Sequence, residues 1–213
     1  MIDLFIDTSL SYIRIALLKN NKILDYVNEK VDKDLSKLFD VKLNDLFSKN
    51  NLNYNDVDKI YAVTGPGSFT GIRVGLTFVK ILAWSLKKDV IPVSELQVLA
   101  STSFDSKYVV PLIDARRGFV YAGLYDCDLN PLMTDRYISL KDLFDIINLE
   151  DVIFVSHDSF DFTVFSPDIN FLKVMVKNCD SKMINAHVLQ PNYLKNTEAE
   201  ENFKRRLEND KKV

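Results

Sequence analysis

The stretch AVTGPGSFTGIRVG at residues 62 to 75 suggests chemistry most strongly, because it holds four of the six glycines in the chain. Glycine-rich turns ahead of a helix let backbone amides approach a phosphate group. A Walker loop would require a lysine and a hydroxyl residue after its last glycine, but Ile72 and Arg73 follow Gly71. A dinucleotide loop would have glycine at Thr70 and an acid ending the next strand, and neither is found. The candidate loop comprises Gly65, Pro66, Gly67, Ser68, Phe69, Thr70, Gly71 and Arg73.

Local structure accounts for most residues of this loop. The proline and glycine of the GPGS segment predict a type II turn. Thr70 is then the expected N-cap of the next helix, with Phe69 and Val74 forming a hydrophobic staple. Gly71 and Gly75 lie on one helix face and predict close packing against a sheet. The architectural interpretation is therefore favoured, and an anion at the helix N-terminus remains the functional alternative.

Two acids at strand ends are the other candidates for chemistry. Asp7 in IDTS and Asp114 in IDARRG would allow a carboxylate pair to hold magnesium across a cleft, although strand-end acids also cap turns. Ser68 does not lie in the G-x-S-x-G pattern of a hydrolase. His157 and His187 match no metal-ligand spacing. We expect no metal site from these residues.

The positions of the candidates depend on two similar halves. The first reads as a β-meander, a helix at about 33 to 49, a buried strand, the loop, a helix at about 72 to 86, a strand and a helix. The second begins with a hairpin around DARRG, followed by a third strand, a helix capped by Ser139, and strands at VIFVS and FLKVMV. This order predicts an α/β protein with lobes at 1–104 and 105–195 and a polar tail at 196–213.

Composition excludes several classes of protein. The net charge of −3 gives no polybasic signal for nucleic acid or acidic lipid. Cys127 and Cys179 stand alone, as in a reducing compartment. The N-terminus lacks the bases of a signal peptide, and Lys80 interrupts the most apolar run. We expect a cytoplasmic protein with no membrane contact.

Four motifs occur in order along the chain: DTS at 7–9, TGPGSFTGIRVGL at 64–76, DARRGFVY at 114–121 and PNYLK at 191–195. Together they resemble the TsaB family, also called YeaZ, over residues 1–195. Two positions depart from the family pattern. Asp34 stands where the family has a histidine, and Lys195 replaces an arginine.

The resemblance implies a two-lobed actin, sugar-kinase and Hsp70 type of fold, ribonuclease H-like, with a mixed sheet and flanking helices in each lobe and a degenerate second lobe. It implies a non-catalytic subunit of the complex that forms N6-threonylcarbamoyladenosine at position 37 of tRNAs reading ANN codons. The transferase TsaD would be the direct partner, the ATPase TsaE would join the complex, and tRNA would be contacted indirectly. No cofactor is implied.

A small ATPase or phosphotransferase of the same fold is the alternative. Its cleft would contain Asp7, Thr8, Asp114, Arg116 and Arg117, which the TsaB interpretation treats as vestigial. The second half has no glycine after Gly123, so turns that would approach adenosine are missing and tight ATP binding is not expected.

The resemblance also implies that TsaD and a competing homodimer use the first-lobe helices. Apolar residues left over on the second helix support this placement modestly, because one face alone would suffice for the core. For the three arginines near the cleft, Arg73, Arg116 and Arg117, pairing with Asp7 or Asp114 is favoured over contact with a partner or with tRNA phosphate. The predicted interface residues are Leu38, Lys42, Asp45, Phe78, Leu82 and Trp84.

Overall fold

The computed structural model describes residues 1–103, 106–147 and 150–195. Five strands form the first sheet in the order β3-β2-β1-β4-β5. The three strands of the predicted meander are antiparallel, whereas β4 and β5 run parallel to β1. The first-sheet strands are β1 (Ile2–Asp7), β2 (Tyr12–Lys19), β3 (Lys22–Lys30), β4 (Val57–Gly65) and β5 (Val90–Ser94).

Two helices cover one face of this sheet, α1 (Leu35–Lys49) and α2 (Phe69–Leu86). Their buried residues and the alternate residues of β1 and β2 form one hydrophobic cluster, as the 3.6 and 2.0 periodicities predict. Among the described helices, α2 is long and apolar enough to cross a membrane by length and composition. Its apolar character is that of a core helix, because Ile72, Leu76 and Val79 are buried in this cluster.

The second sheet repeats the plan of the first in the order β8-β7-β6-β9. Its pairing is again antiparallel for the first three strands and parallel for the fourth. No counterpart of β5 occurs in the described part of this lobe, which confirms a degenerate second lobe. The elements are β6 (Tyr108–Asp114), β7 (Phe119–Asp126), β8 (Pro131–Ser139), α4 (Leu140–Ile146) and β9 (Val152–Val155).

The strand predicted at FLKVMV is wrong, since this segment is the helix α5 (Phe171–Lys177). Asn170 caps the helix by accepting a hydrogen bond from the Lys173 amide. The buried residues Phe171, Val174 and Met175 have helical spacing, which the run of apolar and β-branched residues obscured.

The two lobes share a hydrophobic cluster on the second face of the first sheet. Phe5 and Tyr61 of the first lobe pack there with Val109, Tyr125 and Phe171 of the second. The short helix α3 (Glu95–Ala100) contributes four of its residues to this cluster. The lobes therefore meet through a continuous core.

The last described segment returns to the first lobe. Ile184 and Val90 exchange backbone hydrogen bonds, and the Asn192 amide donates to the Thr64 carbonyl at 2.8 Å. The division into lobes at residue 104 stays a prediction. The predicted polar tail at 196–213 lies outside the described residues.

Candidate functional site

The glycine-rich loop starts its helix earlier than the sequence suggested. Ser68 is the N-cap and accepts a hydrogen bond from the Gly71 amide at 3.3 Å, so the prediction of Thr70 as the cap is wrong. The hydrophobic staple is also wrong, because Phe69 stacks on Tyr193 with ring centroids 4.3 Å apart. Because Ser68 is the N-cap, Phe69 is the first residue of the helix. A hydrophobic staple needs an apolar residue before the N-cap, so Phe69 cannot form one.

The predicted type II turn is not formed either. The peptide bond between Gly65 and Pro66 is cis, and Gly67 has a φ of +156°, far from the value near +80° of such a turn. The Ser68 amide donates to the Ser9 carbonyl at 2.6 Å instead of closing the turn. This amide is therefore already used within the protein, which weakens the anion alternative.

Close packing of α2 against the first strand is confirmed. The Thr8 hydroxyl donates to the Gly71 carbonyl at 2.7 Å and accepts from the Gly75 amide at 3.0 Å. A Cβ atom on Gly75 would lie 2.5 Å from the Thr8 hydroxyl oxygen, and one on Gly71 would overlap the Thr8 carbonyl. The two glycines thus hold the helix against the end of β1.

Asp7 belongs to a buried ion network that the sequence analysis missed. The Arg14 guanidinium donates to the Asp7 carboxylate at 2.5 Å and to the Glu95 carboxylate at 2.8 Å, and the side chains of all three residues are fully buried. The Ser9 hydroxyl lies between the carboxyl groups of Asp7 and Glu95 at 2.7 and 2.9 Å. An arginine inside the apolar strand YIRIALL was the available signal.

A histidine of the second lobe completes this network. His157 Nε2 accepts a hydrogen bond from Arg14 at 2.7 Å, and its ring stacks on Tyr12 with centroids 4.3 Å apart. Burial and the positive charge of Arg14 lower the pKa of His157 to about 4, so the ring is neutral and acts as an acceptor. His157 joins the two lobes.

The network contains two carboxyl groups but only one guanidinium group, and Glu95 is the carboxyl group whose protonation responds to this imbalance. Burial, followed by the negative charge of Asp7, raises the pKa of Glu95 to about 8. The same carboxylates raise the pKa of Arg14 against the opposing effect of burial. One arginine therefore neutralises one carboxylate fully, and the second carboxyl group tends to hold a proton.

The other cleft candidates do not assemble into a metal site. Asp114 lines a cleft of about 570 Å³ between the lobes, whereas the Asp7 carboxylate is enclosed by its partners. Asp114 accepts the backbone amide of Arg116 at 2.8 Å. Within the described ranges, no group of three or more metal-ligating side chains was found.

The prediction that the arginines near the cleft pair with Asp7 or Asp114 is wrong. Asp7 forms its ion pair with Arg14 instead. In the part of the chain that the structure describes, no ion pair involves Arg73, Arg116 or Arg117. Arg116 lines the cleft with Lys30, Tyr12, Tyr121 and His157. The acids Asp114 and Asp158 also line the cleft, which therefore combines cations, carboxylates and aromatic rings.

A second, more apolar depression of about 570 Å³ lies between α1 and α2, and we call it the helix groove. Phe39, Val74, Phe78 and Ile81 line it together with polar residues. Ile81 is 63% exposed. The groove is open to solvent along the face that was predicted to bind a partner.

The predicted interface residues divide between the surface and the core. Leu38, Asp45 and Trp84 are exposed, and Lys42 is half-buried in an ion pair with Glu29. Phe78 is half-buried and contacts the edge of Phe39. Leu82 is only 6% exposed because it packs into the first-lobe core, so its prediction as an interface residue is wrong.

Comparison with known proteins identifies the family. A family model described as TsaD: tRNA N6-adenosine threonylcarbamoyltransferase matches residues 26–159. The tRNA threonylcarbamoyladenosine biosynthesis protein TsaB of Bacillus subtilis is 35% identical over 163 residues, which cover 73% of this chain and 71% of that protein. The chain belongs to the TsaB family. The Haemophilus influenzae TsaB is 34% identical over 121 residues, 55% of this chain and 51% of that protein.

Solved structures confirm the two-lobed fold of this TsaB-family chain. YeaZ from Pseudomonas aeruginosa superposes with a TM-score of 0.74 at 21% identity and covers 91% of this chain and 99% of its own. A second Pseudomonas aeruginosa structure, described as similar to peptidase YEAZ, has a TM-score of 0.77 with the same coverage. The predicted resemblance and the actin-like fold class are therefore confirmed.

Proposed function

We propose that this chain is a non-catalytic subunit of the complex that forms N6-threonylcarbamoyladenosine at position 37 of tRNAs reading ANN codons. Its relatives in Bacillus subtilis and Haemophilus influenzae carry the name of that biosynthesis. The subunit acts as scaffold and activator of the transferase TsaD, and the ATPase TsaE joins the assembly. It works in the cytoplasm without a membrane or a cofactor.

The observation that carries the non-catalytic assignment is the closed ion network around Asp7. A phosphotransferase would need a strand-end carboxylate that is free to bind a metal ion or a nucleophile. Here the Asp7 carboxylate accepts from Arg14 at 2.5 Å and from Ser9 at 2.7 Å, and it has no exposed surface. A guanidinium thus takes the place that a metal ion would need.

The helix groove is the proposed docking site for TsaD. Its apolar floor and the exposed Ile81 and Trp84 form a face that a partner would cover. Leu38 is exposed on α1 but does not line the groove, and its place in the interface stays a prediction. A homodimer formed through the same helices would compete with TsaD. Lys42 and Asp45 lie on α1 but do not line the groove, and their place in the interface stays a prediction.

Depletion of the protein in its host, followed by mass spectrometry of tRNA nucleosides, tests the proposed function. We expect threonylcarbamoyladenosine to disappear and to return when the wild-type gene is restored. Unchanged threonylcarbamoyladenosine after complete depletion would refute the role in this biosynthesis. The alternative of an independent ATPase predicts low-micromolar ATP binding by calorimetry, whereas we expect no tight binding.

A further inference from the structure

Aromatic rings and arginines gather on both sides of the cleft mouth. The first-lobe group consists of Phe69, Arg73 and Tyr193. The second-lobe group consists of Arg116, Phe119 and Tyr137, with the exposed Arg117 beside Arg116 in the turn between β6 and β7. We call these seven residues the cleft rim. Phe69 and Arg116 both line the cleft, so the two groups border the same opening.

In the first-lobe group, two aromatic rings and one guanidinium group lie against one another at the protein surface. Phe69 and Tyr193 stack with centroids 4.3 Å apart and planes inclined by 16°. The Arg73 guanidinium lies 5.7 Å from the Phe69 centroid, and its Nε donates to the Tyr193 hydroxyl at 3.1 Å. Phe69 remains 40% exposed. This is the type of surface on which unpaired bases stack.

The second-lobe group repeats this chemistry. Phe119 stacks on Tyr137 with centroids 4.9 Å apart and planes inclined by 10°, and Phe119 is 37% exposed. The Lys195 ammonium lies 5.2 Å from the Tyr137 centroid. Tyr121 contacts Tyr137 and also lines the cleft. Lys195 follows Tyr193 by two residues, so one short segment joins both groups.

Among the residues that the structure describes, the arginines beside these rings form no ion pair. The acids of the cleft point to backbone amides instead, since Asp158 accepts from the Asp114 amide and Asp114 from the Arg116 amide, each at 2.8 Å. Arg116 and Arg117 also have φ values of 67° and 56°, a left-handed conformation that asparagine or glycine adopts more readily.

We propose that the cleft rim binds a single-stranded segment of RNA, with phosphates on the arginines and bases on the exposed rings. Arginines that form no ion pair with any described residue, flanked by flat aromatic surfaces, match this ligand better than a protein partner, which would favour the apolar helix groove. The chain as a whole is acidic, with a net charge of −3, and Asp114 and Asp158 also line the cleft, so the phosphate contacts are assigned to the arginines of the rim alone. The inference rests on the proposed function, because the tRNA of that complex supplies the RNA.

The test uses the complex of this chain with TsaD and a fluorescein-labelled RNA stem-loop, measured by anisotropy over a range of salt concentrations. The double variant Arg116→Gln and Arg117→Gln should weaken binding roughly tenfold and lower the slope of log Kd against log salt by about 1.4. Phe119→Leu should weaken binding about fivefold without changing the slope, because it removes only a stacking surface. A fully paired duplex of the same length should bind more weakly than the stem-loop.

Lys19→Gln with Lys22→Gln provides the matched control. It removes the same charge at the turn between β2 and β3, which lies at the opposite end of β2 from the cleft residue Tyr12, and it should leave both affinity and slope unchanged. Capture of TsaD by each variant is measured in parallel and should match the wild type.

Three results would overturn the inference: wild-type affinity and slope in the double arginine variant, equal binding of duplex and stem-loop, or loss of TsaD capture together with RNA binding. The last result would assign the rim to a protein contact. Failure of the proposed function is separate, since it appears as unchanged threonylcarbamoyladenosine after depletion.

Discussion

Replacing Arg14 with methionine should destabilise the protein severely. The guanidinium and the two carboxylates around it have no exposed surface, and the N–O distances are 2.5 and 2.8 Å. Methionine fills much of the volume but leaves Asp7 and Glu95 as adjacent buried acids. Removing one partner of a buried ion pair costs about 3–5 kcal/mol, and we expect a loss in this range at neutral pH.

The matched control is Lys42→Met, which removes a partly exposed ion pair with Glu29. The side chains of that pair are 33% and 50% exposed, so its removal should cost below about 1 kcal/mol. Urea unfolding followed by far-UV circular dichroism is the suitable assay, because Trp84 is 66% exposed and reports poorly on the core by fluorescence. Similar losses for Arg14→Met and Lys42→Met would refute the reasoning.

The same network predicts how stability depends on pH. The pKa of Glu95 is raised from 4.5 to about 8 in the folded protein, so its contribution is fully present below pH 4.5 and is lost as pH rises through about 8. Glu95→Gln keeps an acceptor for Arg14 and supplies an N–H group for the neighbouring oxygens. This variant should therefore lack the decline that Glu95 causes as pH rises toward 8, and it should lose far less stability than Arg14→Met. Equal losses in the two variants would show that burial of charge does not govern the site.

Three further predictions concern other parts of the fold. Because the pKa of His157 is lowered from 6.5 to about 4, the stability that it contributes above pH 6.5 should decline as pH falls through this range, and His157→Gln should remove that decline in urea unfolding. Gly71→Ala should cost about 1–3 kcal/mol, since the added methyl group overlaps the backbone oxygen of Thr8, whereas Thr77→Ala on the exposed side of α2 should be nearly neutral. Ile81→Glu should reduce TsaD capture at least tenfold with unchanged thermal stability, because this residue is 63% exposed in the helix groove; wild-type capture would argue against the groove.

Much of the fold follows from local sequence patterns. The KNNK segment predicts the turn between β2 and β3, and Asn20 and Asn21 adopt the left-handed φ values of 52° and 60° that such a turn needs. The spacing of apolar residues predicts α1 and α2 because each buries one face against the sheet. Successive residues of β1 point to opposite faces of the sheet. Leu4 and Ile6 therefore join the cluster beneath α1 and α2, and Phe5 joins the cluster that the two lobes share.

The details of the site depend on contacts between distant residues, and these have no local signature. By residue type, Ser68 and Thr70 are both suitable N-caps. The Ser9 carbonyl accepts a hydrogen bond from the Ser68 amide, and this contact with a distant residue fixes Ser68 as the start of the helix. Arg14 and Glu95 are 81 positions apart and become partners only when α3 packs beneath the first sheet. Composition can signal a buried charge in a strand, but it does not identify its partner.

The contacts between the lobes favour a scaffold over a catalytic cleft that opens and closes. The Ser94 hydroxyl of the first lobe donates to Asp135 of the second, and Tyr125, also of the second lobe, holds the same carboxylate in place with a hydrogen bond of 2.5 Å. Arg14 binds His157 across the opposite part of the boundary at 2.7 Å, and the shared core lies between the lobes. A lid or domain closure requires an interface that can separate at low cost, whereas separation here would expose buried charges and apolar surface together. Such a body can instead hold the helix groove and the cleft rim side by side in fixed positions, since Arg73 of the rim also lines the groove.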